Sequence, residues 1–185
     1  RSAGLTSLLE KGLDAWWYDR NWTRGGLVSP TSGINRETIG MYVYQSVTEH
    51  YFAELAAAAG EEYARRAFIM ANVDNIRHGS YKGIQNVMSH RYSLQWTGDI
   101  STNGDSLNQE VANMIKAGMN GIAYESSDLG GHVGKPSSGL YLRWTQYGAL
   151  SPIYRTHSNR DVSIARTPWA YGDYETEITR NYLSM

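Results

Sequence analysis

The sequence contains no cysteine, and only two phenylalanines and four prolines occur among its 185 residues. The absence of cysteine excludes disulfide bonds, thiolate metal ligands and a cysteine nucleophile. No apolar run approaches the roughly 20 residues that a membrane span requires, so we expect no membrane partner, and the location in the cell stays unknown. Seventeen basic and eighteen acidic residues give a net charge of −1. Without a basic run or tail, we expect no nucleic-acid partner.

Aromatic residues are plentiful, with six Trp and fourteen Tyr. These side chains combine a flat apolar face with a polar edge, which suits sugar rings. They could equally pack a β-rich core, and composition does not separate the two interpretations.

Short apolar segments alternate with helical patterns along the chain. The sequence predicts strands at 12–19, 67–73, 93–99 and 121–128. It predicts helices at 36–59, from a cap at Asp105 or Ser106 to about Lys116, at 138–150 and from about Asp173. This alternation predicts a parallel sheet with crossover helices.

Carboxylates stand where three of these strands end, at Asp19, Asp99 and Asp128. The carboxyl ends of the strands form the active-site face of a (β/α)8 barrel. A doubly wound sheet would carry a glycine-rich phosphate turn after its first strand, and Gly130-Gly131 is too short and too late for one. We therefore predict a barrel. Glycoside cleavage needs two facing carboxylates, although Asp19 or Asp99 could instead be a helix cap or a turn residue.

Three ordered segments resemble the signature motifs of glycoside hydrolase family 31. The run Trp17-Tyr18-Asp19-Arg20-Asn21 resembles its W-x-D-M-N-E nucleophile segment, and Trp96-Thr97-Gly98-Asp99 resembles its W-T-G-D acid/base segment. Residues 127–131 (SDLGG), followed by 143–144 (RW) and 152–159 (PIYRTHSN), are similar to its C-terminal signature. The order and spacing make the resemblance specific, and it extends over residues 12–169.

The resemblance implies a retaining α-glycoside hydrolase acting on an oligosaccharide or glycan, without cofactor or metal. Asp19 would be the nucleophile and Asp99 the general acid/base. Asp128 and His157 would bind sugar hydroxyls, although His157 could instead be a neutral histidine bonded to a loop backbone.

Trp17 and Trp96 would line the cleavage subsite. Four departures surround this subsite. Arg20 and Trp22 replace the family's Met and Glu, residues 71–73 (ANV) replace an Arg-Ser pair, and His132 replaces an aromatic. These changes leave the reaction type intact but put an ordinary maltose-type specificity in doubt.

The family alignment makes the first predicted strand the fourth of the barrel and the last predicted strand the seventh. A whole barrel takes about 250 residues, so we expect residues 1–185 to be one partial barrel domain, inactive by itself. The remaining strands and flanking β-sandwich domains would lie elsewhere on the same polypeptide.

Two alternatives remain open. An α-glucosyltransferase would use the same two carboxylates and form longer oligosaccharides at high substrate concentration. A non-catalytic sugar-binding barrel would be expected if either Asp19 or Asp99 were replaced, and fold alone never proves catalysis.

Overall fold

The computed structural model describes residues 2–19, 36–71, 94–160 and 165–185. Its helices are α1 (Ser2–Glu10), α2 (Arg36–Ala59), α3 (Gly104–Met119), α4 (Ser138–Ala149) and α5 (Asp173–Leu183). Its strands are β1 (Trp16–Tyr18), β2 (Ile69–Ala71), β3 (Leu94–Trp96) and β4 (Glu125–Ser126). Short 3-10 helices occupy Glu61–Tyr63 and Pro168–Ala170. In the described ranges, no helix combines the length and apolar character needed to cross a membrane.

The four strands form one parallel sheet in the order β1-β2-β3-β4, which is also their order along the chain. All carboxyl ends therefore lie at the same edge. Asp19 directly follows β1, Asp99 follows β3 by three residues, and Asp128 follows β4 by two. The predicted parallel sheet and the placement of these three carboxylates are confirmed.

Strand β2 begins two residues later than the sequence predicts, at Ile69. Strands β1 and β4 begin four residues later than predicted, because a glycine at each predicted start closes the preceding helix instead. Gly12, with φ +91°, donates to the carbonyl of Leu9, and Leu13 donates to that of Leu8. This paired arrangement is a Schellman motif, which satisfies carbonyls at a helix end. It terminates α1, a helix that the sequence analysis did not predict.

A Schellman motif also ends α3. Gly121, with φ +80°, donates to the Gly118 carbonyl, and Ile122 donates to that of Ala117. The residues predicted as the start of the fourth strand are thus part of a helix terminus. The strand itself is only Glu125–Ser126.

The start of α3 also differs from the prediction. Its N-cap is Asn103, whose side chain accepts a hydrogen bond of 2.7 Å from the Ser106 amide. Asp105 lies in the first turn, where its negative charge suits the positive end of the helix dipole. Neither Asp105 nor Ser106 is the cap.

Successive side chains of β1 point to opposite faces of the sheet, and one of these faces packs against a helix. Trp16 and Tyr18 are buried in an apolar cluster with α2, and the Trp16 indole donates to Thr48 Oγ1 at 2.8 Å. Trp17 points the other way and keeps 47% of its surface exposed. Because side chains of a strand alternate between faces, this register puts Trp17 on the side where the site forms.

Candidate active site

Three aromatic rings from separate parts of the chain meet above the sheet edge. The Trp17 ring lies edge-to-face against Trp96, with centroids 5.2 Å apart, and against His157 at 5.0 Å. Trp96 is fully buried, at 1% exposure, whereas half of Trp17 is open. The half-exposed Trp17 ring therefore packs against the buried Trp96 ring. This arrangement suits the apolar face of a sugar ring.

Asp128 lies beneath these rings and has no exposed surface. Its Oδ1 accepts a 2.7 Å hydrogen bond from the Trp96 indole and a further bond from Arg155 Nη2. Burial raises the pKa of the Asp128 carboxyl, while the Arg155 guanidinium and the Trp96 indole act to lower this pKa. The second oxygen, Oδ2, has no hydrogen-bond partner in the described part of the chain. His132 Nδ1 lies 3.8 Å from it.

Arg155 was not predicted as a site residue, although it belongs to the 152–159 segment. Besides its bond to Asp128, it donates through Nε to Ser126 Oγ at 3.1 Å. Its guanidinium lies 5.3 Å from the ring centroid of Trp17 and 5.6 Å from that of Trp96. These distances permit cation–π attraction to both indoles. Arg155 thereby joins the buried carboxylate to the aromatic group.

Both predicted catalytic residues, Asp19 and Asp99, affect the pKa of His157. Burial lowers the pKa of this imidazole to about 4, helped by the positive charge of Arg155, while Asp99 and Asp19 act to raise it. At neutral pH the ring is therefore uncharged. A neutral imidazole offers one donor and one acceptor nitrogen, the combination needed to bind a hydroxyl group.

His132, noted only as a departure from the family motif, lies between two carboxylates. Its Nδ1 is 3.5 Å from Asp99 Oδ1 and 3.8 Å from Asp128 Oδ2, and its ring stacks on His157 with centroids 5.1 Å apart. The turn at Gly131 brings it there. Gly131 has φ +79°, and its amide donates to the Asp128 carbonyl at 2.8 Å.

The fold also creates a cluster that sequence spacing did not indicate. Asp128, His132 and His157 each offer a ligand atom, and these atoms lie within 4.8 Å of one another. However, Asp128 Oδ1 already accepts from Trp96 and Arg155. A second cation beside the guanidinium would be repelled. The arrangement therefore favours a polar, uncharged ligand over a metal ion.

All six predicted site residues are described, and all six lie at the carboxyl edge of the sheet or in the segment beside it. Contacts link Trp17, Trp96, Asp128 and His157 directly. Asp19 and Asp99 are both partly buried and both affect the pKa of His157.

Comparison with known proteins identifies the family and the fold. The family model of the glycosyl hydrolases family 31 TIM-barrel domain matches residues 3–185. The probable glucan 1,3-alpha-glucosidase of Oryza sativa subsp. japonica is 35% identical over 97 residues, which cover 52% of this chain and 10% of that protein.

Two solved structures share the fold. The cycloalternan-forming enzyme from Listeria monocytogenes, in complex with pentasaccharide substrate, aligns with a TM-score of 0.63 at 20% identity, over 95% of this chain and 16% of that one. The glucosidase II alpha subunit, in its Glc1Man2-bound form, aligns with a TM-score of 0.59 at 24% identity, over 80% of this chain and 14% of that one.

The four parallel strands and their helices are thus part of a TIM barrel, which confirms the predicted fold class. The chain belongs to glycoside hydrolase family 31. It spans about a tenth of the length of the Oryza relative.

Proposed function

We propose that this chain carries the reaction centre of a retaining α-glycoside hydrolase that acts on oligosaccharides or glycans. The observation that carries the proposal is the convergence of Asp19, Asp99, Asp128 and His157 on one aromatic-lined edge of the sheet. Membership of family 31 supports it, since relatives with an α-glucosidase name match half of this chain or more.

In the first step, the Asp19 carboxylate attacks the anomeric carbon and the bond from this carbon to the leaving oxygen breaks. Asp99 transfers its proton to that oxygen, so the leaving sugar departs as an alcohol. The product of the step is a covalent glycosyl ester on Asp19. Splitting the reaction in this way retains the anomeric configuration, because each of two steps inverts it.

In the second step, water attacks the anomeric carbon while Asp99, now ionised, takes a proton from the water. The ester bond breaks, Asp19 is released as a carboxylate, and the free sugar leaves. If a sugar hydroxyl replaces water, the same step transfers the glycosyl group to an acceptor. Product analysis at high substrate concentration separates the two, since hydrolysis yields monosaccharide and transfer yields longer oligosaccharides.

Sugar binding is assigned to the other four predicted residues. The Oδ2 atom of Asp128 and the neutral His157 imidazole suit hydroxyl groups. Trp17 offers its exposed face to the ring, and Trp96 supports both Trp17 and Asp128.

Azide rescue in the full-length enzyme tests the two catalytic roles. Asp19→Ala should abolish turnover of every substrate, because the covalent intermediate cannot form. Asp99→Ala should slow cleavage of a natural glycoside by about 10²–10⁴ but spare glycosylation by a glycosyl fluoride, whose leaving group needs little protonation. Its glycosyl-enzyme should then react with added azide to give an α-glycosyl azide.

Asp173→Ala is the matched control, because this exposed aspartate lies at the start of α5. It should behave as wild type with both substrates. An α-azide from Asp19→Ala, with none from Asp99→Ala, would show that the two roles are assigned the wrong way round.

A further inference from the structure

Glu110 is a carboxyl group that the reaction described above does not use, and it is completely buried. It lies in α3 with 0% exposure, on the side of the helix that faces the sheet. Burying a carboxylate is costly unless several hydrogen bonds replace those to water. Burial accordingly raises the pKa of Glu110.

Three side chains supply those hydrogen bonds. Thr97 Oγ1 and Ser127 Oγ both donate to the same oxygen, Oε2, at 2.5 Å each. Asn113 Nδ2 donates to the other oxygen, Oε1, at 3.1 Å. Hydrogen bonds to a carboxylate are shorter and stronger than those between neutral groups, so Glu110 holds the two hydroxyl groups firmly.

The two hydroxyls belong to the chain segments that lead into the site. Thr97 follows β3 and precedes Asp99 by two residues, and Ser127 follows β4 and directly precedes Asp128. One oxygen atom of Glu110 therefore connects both segments. A shift of this oxygen would move the backbone next to both functional carboxylates.

The sheet alone provides little restraint at this position. Strand β4 has only two paired residues, and a backbone bond runs from the Thr97 amide to the Ser126 carbonyl at 3.1 Å. The next backbone bonds between the two segments run from the His132 and Val133 amides to the Ile100 carbonyl, so Asp99 and Asp128 lie in the interval between these linked points. The Glu110 carboxylate supplies a side-chain link just where the backbone ladder stops.

We infer that Glu110 is a positioning residue that sets the placement of Asp99 and Asp128 through Thr97 and Ser127. This inference rests on the proposed function, because it concerns the acid/base and the sugar-binding carboxylate assigned there. Glu110 itself touches no substrate, since it lies on the helix side of the sheet.

The test compares a natural oligosaccharide with the corresponding glycosyl fluoride in the full-length enzyme, both with added azide, which attacks the glycosyl-enzyme without a base. Glu110→Leu fills the same space but accepts no hydrogen bond. It should lower kcat for the oligosaccharide by about 10²-fold, the cost of a misplaced catalytic group. It should lower kcat for the fluoride much less, because the fluoride does not need the proton of Asp99 and azide does not need its base.

The conservative variant Glu110→Gln should preserve the placement of Asp99 and Asp128. Its amide oxygen can still accept from both hydroxyls, although its NH2 group faces Asn113 Nδ2 and loses that bond. We expect the ratio of the two kcat values to return to within about threefold of wild type even though the free energy of unfolding falls. A residue that only stabilised the core would show activity and stability changing together.

Variants that each remove one hydrogen bond to Glu110 test the inference even if Glu110→Leu does not fold. Thr97→Val should reproduce the selective loss on the oligosaccharide, and Ser127→Ala should weaken both substrates, mainly in KM. Glu175→Leu is the matched control, because Glu175 is also a buried glutamate that accepts a serine hydroxyl, from Ser138 at the junction of α4 and α5. It should lower stability without changing the kcat ratio.

An unchanged kcat ratio in both Glu110→Leu and Thr97→Val would overturn the inference. Failure of the proposed function looks different. In that case Asp99→Ala would itself show no selectivity between the two substrates, and the assigned roles would fall together with the inference.

Discussion

Glu125 is a buried carboxyl without a hydrogen-bond partner in the described part of the chain, and replacing it should make the protein more stable at alkaline pH. It lies in β4 opposite Gln95, with 2% exposure, and neither of its oxygens has a hydrogen-bond partner among the described residues. Burial, together with the negative charge of Glu110, raises the pKa of Glu125 to about 8. The folded protein therefore holds this carboxyl protonated at neutral pH, whereas the unfolded chain ionises it.

The sign of the effect follows from proton binding. Because the folded-state pKa exceeds the unfolded value of 4.5, the native state binds more protons, and stability falls as pH rises from that value to about 8. Each pH unit within the window costs up to about 1.4 kcal/mol. Between pH 5 and pH 8 the loss amounts to roughly 3–4 kcal/mol as an upper value.

Glu125→Gln removes this titration. Relative to wild type, its free energy of unfolding should rise by about 2–4 kcal/mol between pH 5 and pH 8. The raised pKa of Glu110 contributes with the same sign to both proteins, and the raised pKa of Tyr147 acts only at higher pH. Both contributions therefore largely cancel in the difference.

The measurement is urea-dependent hydrogen exchange of peptides from β3 and α3 in the full-length protein, at pH 5, 6, 7 and 8. These peptides follow the unfolding of this domain even when others unfold separately. Glu177→Gln is the control, because Glu177 is exposed on α5 and should show no pH-dependent difference. Parallel stability curves for Glu125→Gln and wild type across this range would show that folding does not raise the pKa of Glu125.

Two further substitutions test the local structure around the site. Gly131→Ala should cost at least about 2 kcal/mol, because Gly131 has φ +79° and an added Cβ would lie 2.4 Å from Thr102 Oγ1 and 2.7 Å from Thr102 Cα. Gly139→Ala, in α4 with no atom within 4 Å of the added Cβ, should not destabilise, and equal losses in thermal unfolding would contradict this account. Asn103→Ala should cost about 1 kcal/mol by removing the α3 cap, while Asn103→Asp should not. A larger loss for Asp105→Ala than for Asn103→Ala would show that the cap is wrongly assigned.

Local patterns in the sequence were enough to predict the order of elements and the edge where the site forms. Apolar segments alternating with helical ones predict a parallel sheet, and polar residues after each strand mark its carboxyl edge. Asp19, Asp99 and Asp128 each come at the end of a different predicted strand, so the pattern places all three at this edge. Helices α2 and α4 match their predicted ranges within one residue, and α5 begins at the predicted Asp173.

Element boundaries depended on contacts that local patterns do not contain. Gly12 and Gly121 looked like strand starts because apolar residues follow them, yet each closes a preceding helix. The glycine amide donates to a carbonyl three residues back, and the amide of the next residue donates to a carbonyl five residues back. A glycine at a boundary suits either role. The packing of the helix before it decided which role it took.

The partners within the site were decided by tertiary structure alone. Glu110 is 13 residues from Thr97 and 17 from Ser127, and Arg155 is 27 from Asp128. No pattern in the sequence relates such distant positions, because hydrogen bonds and charge pairs depend on distance in space. The positions of Asp19, Asp99 and Asp128 after their strands were enough to place these carboxylates at the sheet edge. Only the folded chain decided which are paired, which are neutral, and which side chains hold them in place.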